Sequence, residues 1–202
     1  MNKKNVQTVV IIIIAAYLLI WNFSSKSDPN PIVLISTEVG DIFFEIYSDK
    51  APISAGNFLK YVDENRYVKS SFYRTVTLEN QPNDDIKIEV IQGGIGFVES
   101  DFRLNSIAHE TTEITGIKHL NGTLSMARSK PGSANSEFFI CIGDQPELDF
   151  GGRRNPDGQG FAAFGQLYNG QEIISKIHSS VDEEQMIIHP VKILFIERIN
   201  GD

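Results

Sequence analysis

Cysteine and histidine, which commonly act as nucleophiles, bases and metal ligands, are sparse in this sequence. Cys141 is the only cysteine, so no intrachain disulfide is possible, and its neighbours in FFICI favour a small buried hydrophobe over a reactive thiol. His109 and His119 lie ten residues apart, which matches no common zinc spacing, and His178 and His189 add no ligand pattern. We therefore predict neither a metal ion nor a cofactor.

Three other patterns look chemical at first sight. Glu110 and Glu113 could act as paired carboxylates, but with no second cluster to work against we interpret them as part of a loop. Gly93-Gly94 follows a predicted strand, yet no helix with Lys-Ser or Lys-Thr follows, so a turn or a place of close packing is the better interpretation. The loop 151–160 lacks the alternating oxygen ligands of a calcium site.

The stretch from Asn121 to Ile140 is where the spacing suggests binding. Residues 122–127 are mostly small or apolar, and the run 138–142 is long enough for a strand but too short for a helix. Between them, Lys130 to Ser136 reads KPGSANS, which is a loop composition. Because small residues let another backbone approach closely, the stretch indicates a peptide-binding groove.

The composition indicates one folded domain with a tail. A chain of 202 residues can bury a sizeable core without disulfides or metals. The formal net charge is −8, and the first 23 residues carry two lysines and no acid, so the remainder stands at −10. An acidic domain argues against nucleic acid as a partner and against binding to anionic lipid through the folded surface.

The first 23 residues predict a membrane anchor. Two lysines precede an uncharged run whose centre, 9–21, reads VVIIIIAAYLLIW, and a helix over 6–23 would span about 27 Å, close to a hydrocarbon core. No A-x-A site follows, which favours an anchor over a cleaved signal peptide, and the polar linker at 24–31 disfavours a buried core helix. The positive-inside rule then places the domain, 32–200, on the extracytoplasmic side, either tethered or, after cleavage, secreted.

Periodicity predicts about eight short strands and two helices. Strands are predicted at 32–36, 42–47, 71–76, 86–92, 122–127, 138–142, 161–167 and 190–199, and helices at 52–62 and 171–178. The first helix is expected to bury one apolar stripe, Ala55, Phe58, Leu59 and Val62, and residues 97–120 are expected to be irregular. On the last strand, Val191, Ile193 and Phe195 are expected to share one face. Since strands and helices do not alternate, a parallel doubly wound sheet is disfavoured, and an antiparallel barrel or sandwich fits better.

Five segments in order identify a family. They are SFYRTV at 71–76, VIQGG at 90–94, GTLSMAR at 122–128, SEFFI at 136–140 and FAAFG at 161–165, and this order resembles that of the cyclophilins, which are peptidyl-prolyl cis-trans isomerases. The resemblance covers roughly residues 32–199. Within the family, the chain resembles a bacterial, membrane-anchored subgroup. The resemblance implies a mainly β fold, a closed eight-stranded antiparallel barrel capped by two α-helices, with the active groove on its outside.

The resemblance also assigns site residues position by position. Arg74 matches the catalytic arginine of the family, and Gln92 matches the glutamine before its Gly-Gly pair. The implied substrate-binding positions are Phe72, Val90, Gln92, Met126, Ala127, Glu137, Phe139, Leu148 and Phe164.

The implied reaction is rotation about an Xaa-Pro bond in proline-containing segments of unfolded or exported proteins. The C–N bond is partly double, and its barrier is about 18–20 kcal/mol. Twisting returns a lone pair to the proline nitrogen, and a fixed donor on Arg74 can hydrogen-bond it better in the twisted state than in the planar state. Gln92 would hold the carbonyl of the turning bond or orient Arg74.

Several positions depart from the family pattern. Glu137 replaces a Gln, Arg128 replaces a common Asn, and Phe161 stands where many members have His. Glu137 and Arg128 either pair with each other or shift the preference for residues that flank proline. Glu147 stands where some eukaryotic members have Trp, so we expect weak cyclosporin binding or none. The segment 75–87 is longer than in compact members and is expected to reshape one end of the groove.

Two other functions are compatible with parts of this pattern. The altered groove would also suit a catalytically weak module that binds proline peptides as a chaperone or receptor. A lipocalin-like barrel for small molecules would need an internal cavity, whereas the bulky Ile and Phe residues predict a filled core. We expect a monomeric soluble domain.

Overall fold

The structure, a computed structural model, describes residues 30–97 and 99–199. Short alternating segments in this range form nine strands. They are β1 (Ile32–Thr37), β2 (Gly40–Ile46), β3 (Ser71–Val76), β4 (Val90–Gly94), β5 (Thr123–Met126), β6 (Phe138–Cys141), β7 (Ala162–Asn169), β8 (Asp182–Glu183) and β9 (Met186–Ile199).

Eight of these strands close into an antiparallel barrel. Their order around the wall is β1-β2-β7-β5-β6-β4-β3-β9, and β9 pairs with β1 to complete the ring. The two-residue strand β8 pairs with the start of β9 and makes a hairpin outside this ring. The predicted eight-stranded barrel is therefore confirmed, with β8 as an addition that the sequence did not indicate.

Aromatic and aliphatic side chains fill the barrel interior. Phe44, Phe58, Phe138 and Phe164 have no solvent-exposed surface. The ring of Phe58 lies 5.2 Å from that of Phe164 and 5.6 Å from that of Phe138, centroid to centroid. A filled interior argues against the lipocalin-like alternative, which requires an internal cavity.

Helices cover the barrel. Helix α1 (Pro52–Asp63) starts with proline in its first turn and buries the predicted apolar stripe, Ala55, Phe58, Leu59 and Val62. Helix α3 (Gln171–His178) has the predicted bounds and buries Ile174 and Ile177. A single extra turn, α2 (Thr112–Thr115), lies in a region predicted to be irregular.

The last strand departs from its predicted pattern. It begins at Met186, and a bulge interrupts its pairing with β1, because Ser36 lies opposite Phe195 while Thr37 lies opposite Ile193. One extra residue reverses the alternation of inward and outward side chains. Phe195 is consequently 44% exposed and Ile196 is 6% exposed, so the prediction that Phe195 shares a face with Val191 and Ile193 was wrong.

Two other predicted segments need comment. Strand β4 begins at Val90, so residues 86–89 precede the ladder and do not extend it as predicted. The predicted anchor at 1–23 lies outside the described residues. Within 30–97 and 99–199, no helix has the length and apolar character needed to cross a membrane.

Glu110 has a structural role at the start of α1. Its carboxylate accepts hydrogen bonds from the backbone N–H groups of Ile53 and Ser54 at 3.1 and 2.6 Å, and the side chain is 5% exposed. The first amides of a helix have no partner within the helix, and a carboxylate there satisfies them and complements the helix dipole. This contact ties the irregular segment after β4 to α1.

We expect Glu110→Ala to lower the free energy of unfolding by about 1–3 kcal/mol, since two N–H groups in the first turn of α1, of which that of Ser54 is buried, lose their acceptor. Urea denaturation measures the change. Glu113→Ala is the matched control, because the Glu113 side chain is exposed. Similar small losses in both variants would contradict the role assigned to Glu110.

Candidate active site

A groove of about 380 Å³ lies against the outer side of the barrel wall. Seven of the predicted site positions line it, namely Arg74, Val90, Gln92, Ala127, Glu137, Phe139 and Leu148. Other lining residues include Ile88, Phe97, Asn135, Arg154 and Phe161. The groove therefore collects side chains from β3, β4 and β6 and from the loops that follow β5 and precede β7.

Strand alternation explains which side chains reach the groove. On β4, Val90 and Gln92 face the groove while Ile91 belongs to the interior core. On β6, Phe139 faces the groove while Phe138 is fully buried inside the barrel. Successive side chains of a strand point to opposite faces, so each strand supplies the groove and the core in turn.

The structure places three predicted site residues inside the barrel, away from the groove. Phe72, Met126 and Phe164 have no exposed surface and belong to the interior core. Each of these side chains points from its strand toward the barrel interior, on the face opposite the groove. Met126 precedes Ala127, for example, so only one of this pair can line the groove.

A small apolar cluster, separate from the interior core, forms one end of the groove. It consists of Val76, Ile88, Val90, Phe139, Cys141 and Leu148, with Ala127 and Phe161 packed against it. The rings of Phe139 and Phe161 meet edge to face with centroids 5.2 Å apart. Cys141 is fully buried and burial raises the pKa of its thiol, in agreement with the prediction of a buried hydrophobe.

A β-bulge in β3 brings two consecutive side chains to the groove side. Phe72 lies opposite Gly93 and Arg74 lies opposite Gln92, so Tyr73 is the extra residue. Tyr73 and Arg74 consequently both reach the side chain of Gln92. A Cβ atom at position 93 would lie 2.9 Å from the Phe72 ring, so glycine is required for this close packing.

Arg74 is fixed by two amide side chains. Its Nη1 donates to Oε1 of Gln92 at 2.9 Å, and its Nε and Nη2 donate to Oε1 of Gln185 at 3.1 and 2.5 Å. Burial lowers the pKa of Arg74, although an arginine still remains charged at neutral pH. Both acceptors are neutral, so they orient the guanidinium without cancelling its charge.

A hydrogen-bonded relay continues from Gln92 to Glu137. Nε2 of Gln92 donates to the Tyr73 hydroxyl at 2.8 Å, and that hydroxyl donates to Oε2 of Glu137 at 2.7 Å. Burial, and next the charge of Glu137, raise the pKa of Tyr73, so the hydroxyl stays protonated. The relay fixes the amide of Gln92 so that its oxygen points to Arg74.

Glu137 is built into this site. Its carboxylate also accepts from the backbone N–H of Gly96 and from the Ser136 hydroxyl, and it lies 3.5 Å from the Arg103 guanidinium. A Cβ atom on Gly94, whose φ is +140°, would lie 2.5 Å from this carboxylate. Position 94 therefore needs glycine both for its backbone conformation and for the space that Glu137 occupies.

Arg128 does not pair with Glu137, which excludes the first of the two alternatives for these residues. Its guanidinium forms two hydrogen bonds to the carboxylate of Asp157 at 2.8 and 2.9 Å and also donates to the carbonyl of Gly160. These bonds lower the pKa of Asp157 to about 2. Arg128 also lies 5.1 Å from the ring centroid of Phe161, so it fixes the loop 151–160 beside the groove.

His119 supports the groove from behind. Its imidazole stacks on Phe139 at 5.9 Å, and its two nitrogens contact Oδ1 of Asp149 at 2.8 Å and the Ser125 hydroxyl at 2.9 Å. His119 is 1% exposed, and burial lowers its pKa. A Ser-His-Asp set that substrate cannot reach acts as a buried polar brace for the aromatic wall.

Sequence reasoning missed Tyr73, Gln185 and Phe97 as contributors to the site. Tyr73 precedes Arg74 in a strand and would face the opposite side without the bulge. Gln185 is 111 residues from Arg74 and sits in a hairpin that the sequence did not indicate. No local pattern in the sequence connects Gln185 with Arg74.

Comparisons with known proteins identify relatives over most of the chain. Residues 32–198 match the model of the family described as cyclophilin type peptidyl-prolyl cis-trans isomerase. The chain is 34% identical over 187 residues to a peptidyl-prolyl cis-trans isomerase of Acinetobacter baylyi, with 86% of this chain and 88% of that protein covered. It is 32% identical over 175 residues to peptidyl-prolyl cis-trans isomerase B of Escherichia coli, with 80% and 98% covered.

A solved structure supports the same fold. The crystal structure of a cyclophilin type peptidyl-prolyl cis-trans isomerase from Cryptosporidium parvum has a TM-score of 0.64 and 23% sequence identity. The alignment covers 85% of this chain and 99% of that chain. At this identity the likeness concerns the barrel architecture.

We expect Tyr73→Phe to reduce prolyl isomerisation about tenfold, because the Gln92 amide loses the hydroxyl that fixes its orientation toward Arg74. Unfolding free energy should fall by about 1–2 kcal/mol, since Glu137 loses a donor. A peptide isomerisation assay and urea denaturation measure the two effects. Tyr168→Phe is the control, because Tyr168 is 72% exposed. Full activity in Tyr73→Phe would show that the relay does not orient Gln92.

Proposed function

The chain belongs to the cyclophilin-type peptidyl-prolyl cis-trans isomerases, and we propose that Arg74 stabilises the twisted Xaa-Pro bond while the apolar end of the groove holds the proline ring. The observation that carries this proposal is the placement of Arg74. Its guanidinium is fixed by two neutral acceptors at the rim of a groove whose neighbouring surface is apolar.

The proline ring is assigned to the apolar cluster. Phe139, Leu148 and Val90 supply a floor and a wall, and Phe161 adds a second aromatic face nearly perpendicular to Phe139. A ring held on several sides cannot rotate with the chain, so rotation is confined to the carbonyl that precedes it. Holding one side of the bond while freeing the other places the substrate near the reactive geometry.

The barrier falls because the site binds the twisted bond better than the planar bond. Loss of conjugation makes the proline nitrogen a better acceptor, and a charged donor that is already oriented gains most when that acceptor develops. Gln92 is committed to Arg74 through its oxygen and to Tyr73 through its nitrogen. Its role in this proposal is therefore to orient Arg74.

The non-catalytic alternative receives less support from these contacts. A module that only binds peptides needs the apolar cluster but has no use for a half-buried guanidinium held by two amides. That alternative was motivated by Glu137 and Arg128 in the altered groove. Glu137 lies within the relay that supports Gln92, and Arg128 pairs with Asp157. Weak or absent cyclosporin binding stays a prediction.

The proposal extends to cellular context. We place the isomerase on a membrane tether formed by residues 1–23, with the domain on the extracytoplasmic side, where its substrates would be unfolded or exported chains. The support is the apolar run at 9–21 behind two lysines, which has the length and flanking charge of an anchor.

The tether is tested by fractionation and by N-terminal sequencing of the mature protein. We expect the full chain in the membrane fraction, resistant to carbonate extraction and beginning at or next to Met1. Protease added from outside should digest the domain once any outer membrane or cell wall has been permeabilised. A soluble mature protein that starts after residue 23 would show a cleaved signal instead.

The catalytic role of Arg74 is tested by substitution. We expect Arg74→Ala to lower kcat/KM for an Xaa-Pro peptide about 100-fold, on the scale of removing one transition-state donor. A protease-coupled assay or NMR exchange measures the rate. Arg198→Ala is the control, because Arg198 pairs with Asp63 on the surface. Equal activity of the wild type and Arg74→Ala would refute the proposal.

A further inference from the structure

We propose that Gln185 is a second positioning residue for the isomerase, which holds the Arg74 guanidinium in its productive orientation from the side opposite Gln92. The inference rests on the proposed role of Arg74 and goes beyond it. Gln185 lies in the turn of the β8–β9 hairpin and does not line the groove, so it would act only through Arg74.

A single oxygen of Gln185 accepts hydrogen bonds from two nitrogens of the guanidinium. Oε1 of Gln185 accepts from Nε at 3.1 Å and from Nη2 at 2.5 Å, while Gln92 takes Nη1. Three of the arginine's nitrogens are thereby fixed, and the plane of the fork is defined. An arginine held at one nitrogen alone could still swing about its side-chain torsions.

Gln185 is itself fixed at each polar group. Its backbone N–H donates to Oδ1 of Asp182 at 2.9 Å, and its carbonyl accepts from the N–H of Thr75 at 2.9 Å. Its Nε2 donates to the carbonyl of Asn80 at 3.0 Å, which leaves Oε1 as the atom that faces Arg74. The orientation of the amide is therefore determined by its surroundings.

The hairpin turn carries a conformational cost that this contact explains. Glu184 and Gln185 have φ values of +49° and +72°, a region that glycine adopts more readily than other residues. A turn of this kind normally favours Gly or Asn. A glutamine in the second position sacrifices local preference and gains a side chain that reaches Arg74.

The neutrality of the amide matters as well. A carboxylate in this position would pair with Arg74 and compete with the substrate for its positive charge. Gln185 and Gln92 both offer an oxygen without a formal charge. The guanidinium is therefore oriented on two sides while its charge stays available to the peptide bond.

The test compares two glycine substitutions in the same turn of the full-length protein. Gln185→Gly removes the contact with Arg74, and Glu184→Gly serves as the matched control, because both positions have positive φ and glycine relieves the strain at each. Glu184 has an exposed side chain. We expect the isomerisation rate to fall about tenfold in Gln185→Gly and less than twofold in Glu184→Gly.

Binding and stability measurements separate positioning from a structural role. The dissociation constant of an Ala-Pro-containing peptide should change less than twofold in Gln185→Gly, and both glycine variants should unfold in urea in a single cooperative transition. Gln185→Asn is a second variant, because Asn tolerates the left-handed backbone conformation. Its side chain is one methylene group shorter than that of Gln, so its carbonyl oxygen does not reach Arg74. It should be as slow as Gln185→Gly.

The outcomes distinguish this inference from the proposed function. If Arg74→Ala is slow but Gln185→Gly and Gln185→Asn retain the wild-type rate, Gln185 has no positioning role and the role of Arg74 stands. If Gln185→Gly loses peptide binding and stability along with rate, its role is structural. If Arg74→Ala is as fast as the wild type, the proposed function fails first.

Discussion

The structure depends on keeping one positive charge immobile and uncompensated beside an apolar cluster. Burial makes a guanidinium costly, and the usual solution is a carboxylate partner that cancels the charge. Here the partners of Arg74 are the amide oxygens of Gln92 and Gln185, which satisfy its N–H groups and leave the charge in place. The surrounding architecture can be understood as the means of holding those two amides.

Each amide is held by a different part of the fold. The bulge in β3 lets Tyr73 reach Gln92 from the same side as Arg74, and Glu137, the residue before β6, anchors the Tyr73 hydroxyl. The β8–β9 hairpin delivers Gln185 from the far end of the chain. Pairing of β9 with β3, in which Met186 lies opposite Arg74, fixes the position of that hairpin relative to β3. The catalytic geometry is therefore a consequence of long-range pairing.

Much of the fold could be predicted from the sequence because it depends on local periodicity and on a recognisable order of motifs. The bounds of α3 and the stripe of α1 are examples. The site was harder to predict, because alternation and bulges decide it. Phe72, Met126 and Phe164 matched family positions but face the interior, and Tyr73 reaches the Gln92 side chain through a one-residue insertion in the ladder. Gln185 lies 111 residues from Arg74, so no local pattern connects them.

We propose that the rigid, charged fork of Arg74 accelerates rotation of the bound peptide, separately from binding it. NMR exchange measurements on an enzyme-bound Xaa-Pro peptide, for the full-length wild type and Arg74→Lys, test this most directly, because lysine keeps the charge but lacks the planar fork. We expect interconversion of bound cis and trans peptide to slow at least about tenfold in Arg74→Lys, while peptide affinity changes by less than about twofold. Equal bound-state interconversion rates in the two proteins would contradict it.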